Sequence, residues 1–246
     1  MRIDLNADVG EECGDDAALI PLLSSANVCC GVHAGGPATM YRTVELCASR
    51  SVSIGAHVSY PDREHFGRRE MDLPPSEITA SVLQQLRALE PITRTVGTRI
   101  RYLKAHGALY NRMAFDVVVA DAVIAALKSF DPSLPLLTLP GCTAMARAES
   151  QGLSAVGEAF ADRGYRDDGR LQPRGEAGAL LTDPATVSAR AVTLLRTGFL
   201  PSVTGKALRI SAASLCVHGD TPGAAGIVAD LRGALQQVGV EIRAFA

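Results

Sequence analysis

The feature that most restricts this chain is a run of short apolar segments, each ending in polar or titratable residues and most of them leading into a stretch with helical periodicity. LNADVGE at 5–11, ANVCCGVHAG at 26–35, IGAHVSYPD at 54–62, IRYLKAHGALYN at 100–111, AFADRGY at 159–165 and LCVHGD at 215–220 all have this form. Successive parallel strands need long, usually helical crossovers, so strand–helix alternation of this kind reads as parallel βα units. When such units close into a barrel, the C-terminal ends of the strands share one face and build one site.

In chain order, residues 2–9 alternate Ile3, Leu5, Ala7 and Val9 against Asp4, Asn6 and Asp8, which is strand periodicity with one wholly polar face. A short helical stretch near 15–23 precedes a strand at Ala26–Cys30 and a helix from Pro37 to about Ser49. Ser53–Ala56 reads as the third strand, followed by a long loop over Val58–Pro75. Ile78, Val82, Leu86 and Leu89 mark an amphipathic helix that returns the chain to a strand at 100–103. The pattern continues with a helix over 114–129, a strand at Leu134–Leu139, a helix at Thr143–Gln151 and a strand at Ser154–Phe160. After the arginine-bearing loop 162–177, Asp183-Pro184 caps a helix that stops at Gly198. Leu200–Ile210 reads as a hairpin around Thr204-Gly205-Lys206, Leu215–Val217 as a strand, Thr221-Pro222 as the start of a helix, and Val240–Phe245 as a final strand.

The expected fold is therefore α/β: a (β/α) barrel of seven or eight mostly parallel strands, with strand spacing irregular enough to leave it incomplete, in one domain over residues 1–246. An open doubly wound sheet is the alternative. It gathers its site at a switch point between a few strands, whereas here polar groups end at least six strands, which favours the barrel.

Composition narrows the function classes. A formal net charge of −2 and no basic cluster beyond Arg68-Arg69 argue against a nucleic-acid or anionic-membrane partner. No segment approaches the roughly 20 apolar residues that span a bilayer, and with no apolar signal core near the start a cytoplasmic location is expected. The six cysteines at 13, 29, 30, 47, 142 and 216 include no C-x-x-C pair and read as reduced thiols, mostly buried.

Four of the five histidines, His33, His57, His106 and His218, lie at or just after an apolar strand. One such histidine is ordinarily structural; four in one topological position point to a shared site. Tyr102, Lys104 and His106 fall on one face of a strand, as do Asn6 and Asp8, and His218 and Asp220 if the strand runs that far. Asp8 suits a base or a partner for an imidazole, and Lys104 suits an oxyanion or a carboxylate. The structural alternatives are a buried ion pair of Lys104 with Asp8 or Glu11, and helix-capping roles for the aspartates. Arg163 and Arg174 suit a bidentate carboxylate clamp. Gly205-Lys206 resembles a phosphate loop, but Leu200 and Ala207 stand where that motif needs Gly and Ser/Thr. A divalent metal on the histidines with Asp8 and Asp220 stays open, since no tight ligand spacing such as H-E-x-x-H supports it.

Taken in register, NADVGE, ANVCCGVHAG, AHVSYPD with FGRR, KAHGALYN, FADRGYRDDGRLQPR and CVHGDTPGA resemble the LamB/YcsF family of 5-oxoprolinase A subunits, from residue 5 to about 225. The pattern departs from the family at Gly36, Val58 and Ala105. The resemblance implies a barrel related to polysaccharide-deacetylase folds. It further implies an ATP-hydrolysing enzyme that, with two partner subunits, opens 5-oxoproline to glutamate. With no nucleotide motif in this chain, ATP is assigned to the partners and the lactam site to this subunit. Asp8, His57, Lys104, His106, His218 and Asp220 are the expected catalytic residues; Asn6, His33, Tyr60, Asn111, Arg163 and Arg174 are the expected substrate contacts. A metal-dependent amide or carbohydrate deacetylase, and a scaffold subunit without catalysis, are the competing readings.

Overall fold

A computed structural model describes residues 1–246. Seven parallel strands close on themselves: β1 (Arg2–Val9), β2 (Ser25–Cys29), β3 (Ser53–Val58), β4 (Tyr102–Ala105), β5 (Leu136–Thr138), β6 (Ala155–Phe160) and β9 (Ser214–Cys216), the last pairing with both β6 and β1. Ser214 sits opposite Asp4 on one side and Glu158 on the other, and this double pairing closes the barrel. An eighth strand, β10 (Glu241–Ile242), pairs with the start of β1 outside the ring. The hairpin expected over 200–210 is present as antiparallel β7 (Phe199–Pro201) and β8 (Ala207–Arg209).

Helices α1 (Asp16–Leu19), α2 (Pro37–Ser49), α3 (Pro75–Val96), α4 (Gly107–Phe115), α5 (Val117–Phe130), α6 (Thr143–Ser150), α7 (Pro184–Thr197) and α8 (Ala224–Gln237) complete the chain. In β1 the apolar residues Ile3, Leu5, Ala7 and Val9 join a buried cluster of 62 residues. The intervening Asp4, Asn6 and Asp8 meet side chains of β2, β4, β6 and β9, so the inside of the barrel is polar. Gly55 is required there: a Cβ on it would lie 2.2 Å from the ring of Tyr102.

Three elements differ from the sequence expectation. The helix expected over 114–129 is α5, starting at Val117, because Asp116 is extended and its carboxylate accepts from the N–H groups of Val118 and Val119 as an N-cap. After Ala105 the chain turns directly into α4, a helix ahead of the expected one, and Tyr110 and Asn111 ride on it. α8 begins at Ala224 instead of Thr221, since Gly223 at φ +78° breaks the run.

Candidate functional site

The floor of the site is an ion cluster inside the barrel. Lys104 Nζ lies 3.1 Å from Asp8 Oδ1 and 3.1 Å from Glu158 Oε2, and donates to Asn6 Oδ1 at 3.3 Å and Cys216 Sγ at 3.1 Å. Burial opposes its charge, but Asp8 and Glu158 outweigh burial and hold its pKa well above the usual lysine value. Below it, Asn27 Nδ2 bridges Asn6 and Asp8 at 2.8 Å each, and Tyr102 Oη donates to Asn27 Oδ1 at 2.7 Å. Asp4, at the bottom, accepts from Ser24, Ser25 and Ser214. Glu158 Oε1 and Tyr110 Oη are both buried without a hydrogen-bond partner.

Above this floor, Glu11, His33, His57 and His106 bring one ligand atom each within 4.8 Å of one another. Glu11 Oε1 is 3.0 Å from His33 Nε2, 3.2 Å from His106 Nδ1 and 3.6 Å from His57 Nε2. The second nitrogens of two of these rings face backbone carbonyls: His57 Nδ1 meets Lys104 O at 3.3 Å and His106 Nε2 meets Phe66 O at 2.9 Å. A carbonyl only accepts, so those nitrogens carry the protons and the other two present lone pairs. Yet His57 Nε2 and His106 Nδ1 stand 2.9 Å apart. Two lone pairs at that distance need a proton or a cation between them. Backbone carbonyls that fix the tautomer are also how metal-ligating histidines are held. Gly67 permits this arrangement: at φ +66° it follows Phe66, and a Cβ on it would strike Ser59 Oγ at 2.2 Å.

The charge balance points the same way. Asp8, Glu11 and Glu158 are all buried, and Lys104 is the one buried ammonium among them. Burial pushes Asp8 and Glu11 upward, but His57 and Lys104 for the first, and His106 and His33 for the second, hold both below the usual carboxylate range. Burial drives His33 down to about 4, with Glu11 opposing, so this imidazole is neutral at pH 7. Three imidazoles and one carboxylate, converging in a buried region with excess negative charge, are a donor set suited to a divalent transition metal.

His218 belongs to a different arrangement. Asp162, wholly buried at the end of β6, accepts from the His218 backbone N–H at 3.0 Å and lies 3.0 Å from His218 Nδ1. Burial raises the Asp162 carboxyl, but His218 reverses this and holds it below the usual range. Nδ1 therefore carries the proton, and Nε2 has no partner in the protein.

Both groups open on one cavity of about 600 Å³ lined by Asp8, His57, Lys104, His106, Tyr110, Asn111, Phe160, Arg163, Arg174 and His218 among others. Of the residues singled out from the sequence, Asn6 lies beneath it, bonded to Lys104. His33 lies behind it with Glu11. Tyr60 is buried outside the lining. Asp220 sits at the mouth, 3.1 Å from Arg174 and also paired with Arg68. Glu158, Asn27 and Asp162 were not foreseen, and Glu11 was foreseen only as a partner for Lys104. Period-two alternation back from Phe160 puts Glu158 in the barrel, and Asp162 ends a strand as the histidines do, so both carried a readable signal.

A family model described as the LamB/YcsF family matches residues 3–246. A protein of Streptomyces avermitilis that is named as the A subunit of 5-oxoprolinase is 50% identical over 249 aligned positions, covering 99% of this chain and all of that one. The crystal structure of a lactam utilization protein from Thermus thermophilus superposes with a TM-score of 0.94 at 41% identity, covering both chains fully. A family 4 carbohydrate esterase from Streptomyces lividans shares the fold, with a TM-score of 0.54 at 9% identity over all of this chain and 93% of that one.

Proposed function

The chain belongs to the LamB/YcsF family, and from that premise we propose that it is the lactam-opening subunit of a 5-oxoprolinase, working with partner subunits that spend ATP to activate 5-oxoproline. The observation that carries this reading is the pairing, on one cavity, of the Asp162–His218 couple with the Asp8–Lys104 floor.

An unstrained five-membered lactam resists opening, because amine and carboxylate, held close in the product, re-close easily. Opening needs a polarised carbonyl carbon, a water made nucleophilic and a proton for the departing nitrogen. Asp162 fixes His218 in the tautomer whose Nε2 lone pair faces the cavity, so that Nε2 takes a proton from the attacking water and, as an imidazolium steadied by Asp162, passes it to the departing nitrogen. Asp8, held ionised, accepts a hydrogen bond from the attacking water and orients it, and Lys104 steadies the negative charge at its side. Arg163 and Arg174 take the substrate carboxylate, and Asn111 lines the same wall. A divalent cation held by Glu11, His33, His57 and His106 would supply Lewis-acid polarisation and a more acidic water.

The decisive experiment combines the purified chain with its partner subunits, 5-oxoproline and ATP, and measures glutamate. Release from wild type, and its loss in His218→Gln with the melting temperature retained, supports the assignment. Glutamate release undiminished in His218→Gln refutes it. The buried Glu11–histidine group favours one second reading, a metal-dependent amidase needing no ATP. That reading predicts amide hydrolysis by the metal-loaded chain alone.

A further inference from the structure

The loop between β3 and α3 carries a motif, FGRR at 66–69, to which the lactam chemistry gives no role. This loop runs over the histidine group and is tied to the segments that bear the ligands. Arg63 donates to the carbonyls of Gly31 at 3.2 Å and Gly35 at 2.6 Å, on either side of His33 in the chain. Two successive carbonyls then engage the start of α4: Phe66 O meets His106 Nε2 at 2.9 Å, and Gly67 O accepts the Ala108 N–H at 2.9 Å. Arg68 reaches Asp220, on the loop after β9.

Phe66 is held at φ +56°, in the left-handed region that side chains rarely adopt, and Gly67 follows at φ +66°. Two left-handed residues in succession turn the Phe66 carbonyl onto His106 and lay the Phe66 ring beside the ligands. Glycine would take this backbone without strain, so what phenylalanine adds at the position is its ring. The ring is partly exposed and meets the rings of His33 and His106 nearly at right angles, with centroids 5.6 and 5.5 Å away. The Arg68 guanidinium lies over it, 4.8 Å from the centroid. Phe66 is not among the residues lining the cavity, whereas His57 and His106 are. Its ring therefore stands on the outer side of the group, between the His33–His106 stack and solvent.

We propose that Phe66 is a positioning residue for a divalent cation: it closes the outer side of the group formed by Glu11, His33, His57 and His106, so that the ion is reached only through the cavity. This rests on the cation reading given above and adds what keeps bulk water from that ion. An apolar cover of this kind controls solvent access to a metal group, and with it how tightly the ion is held and how slowly it exchanges. The backbone hydrogen bonds on both sides of His33 and at His106 make the cover part of the same frame as the ligands. Left-handed backbone at a bulky residue persists where the surroundings over-determine it, and these tethers do so here.

The test loads the purified chain with cobalt(II), removes unbound metal by desalting, and times release into an excess of a chromogenic chelator. Release from Phe66→Gly should be at least about tenfold faster than from wild type, and Phe66→Tyr, which keeps the ring, should restore the slow rate. The visible absorption of the bound cobalt should also change in Phe66→Gly, a response that a residue serving only the fold would not give. Should Phe66→Gly fail to fold, Arg68→Gln, which frees the ring from outside, carries the test with a release a few-fold faster. Release at the wild-type rate from the folded variant overturns the proposal, and cobalt uptake abolished by Glu11→Gln would leave the cation reading intact. Wild type that takes up no cobalt sinks both, and glutamate release by the assembly would then leave the lactam-opening function standing.

Discussion

The histidines that end β2, β3 and β4 and the one that ends β9 occupy equivalent places in the barrel, yet their surroundings differ in kind. His33, His57 and His106 crowd around Glu11, with the His33 and His106 rings stacked 4.0 Å apart and ring nitrogens converging. His218 stands apart, with one nitrogen on a buried carboxylate and the other unpartnered. The first arrangement concentrates lone pairs on one point, which suits a cation; the second orients one imidazole toward a cavity, which suits a proton. What separates them is the carboxylate each has acquired, Glu11 in one case and Asp162 in the other. Strand position alone does not distinguish a ligand from an acid.

Removing the floor that both share should have the largest effect. Lys104→Met leaves Asp8 and Glu158 buried without their cation, so a loss of about 3–5 kcal/mol in stability is expected. Urea unfolding measures it, and Lys104→Met combined with Glu158→Gln should regain part of the loss. A single variant as stable as wild type would mean that the pair contributes nothing to the fold.

Next comes Glu11→Gln, which takes the only carboxylate from the histidine group. Its expected signature is loss of bound divalent metal, read by elemental analysis after loading and desalting. A fall in glutamate release on the order of 10³-fold should accompany it, since a bound metal supplies several kcal/mol. Metal retained at wild-type stoichiometry would remove the distinction drawn between the two histidine settings.

Asp162→Asn should act more mildly and on the other side of the comparison. It disturbs the tautomer of His218, so turnover should fall on the order of 10²-fold while metal content stays as in wild type. The pH dependence sharpens this. Asp8, Glu11 and Asp162 are each held below their unfolded values, so the unfolded chain binds more protons as pH drops. Their stabilisation is present above about pH 4–4.5 and is lost below it as pH falls through the folded values. Asp162→Asn should therefore show a shallower acid limb in urea midpoints between pH 5 and 3. An unchanged slope would place Asp162 outside the acid response.

The strands were legible because alternation is local: β1 could be read from Ile3, Leu5, Ala7 and Val9 against the polar residues between them. Lys104, His106 and His218 were legible for the same reason, as polar residues ending apolar runs. Which carboxylate each histidine meets was not, because Glu11 reaches His33 across 22 positions and Asp162 reaches His218 across 56, distances over which no periodicity speaks. The start of α5 was placed at 114 instead of 117 because the apolar spacing continues on both sides of Asp116. Capping, rather than periodicity, sets that start.

The smallest effect tests whether the mouth of the cavity belongs to the chemistry. From its place beside His218, Asp220 reads as a catalytic carboxylate. The structure sets it against Arg68 and Arg174, with its side chain 16% exposed, and burial is outweighed there by Arg174, His218 and Arg68, which lower its pKa. A carboxylate held between two guanidiniums at the rim is a weak base and a poor proton carrier. Its contribution to stability is that of a partly solvated ion pair, within about 1 kcal/mol. Asp220→Asn should therefore leave kcat nearly unchanged and shift KM by only a few-fold, because it loosens two arginines without touching His218 or Lys104. A fall in kcat as large as that of Asp162→Asn would draw Asp220 into the proton-transfer couple. His218 would then answer to two carboxylates, and the contrast between its setting and that of the Glu11 histidines would narrow.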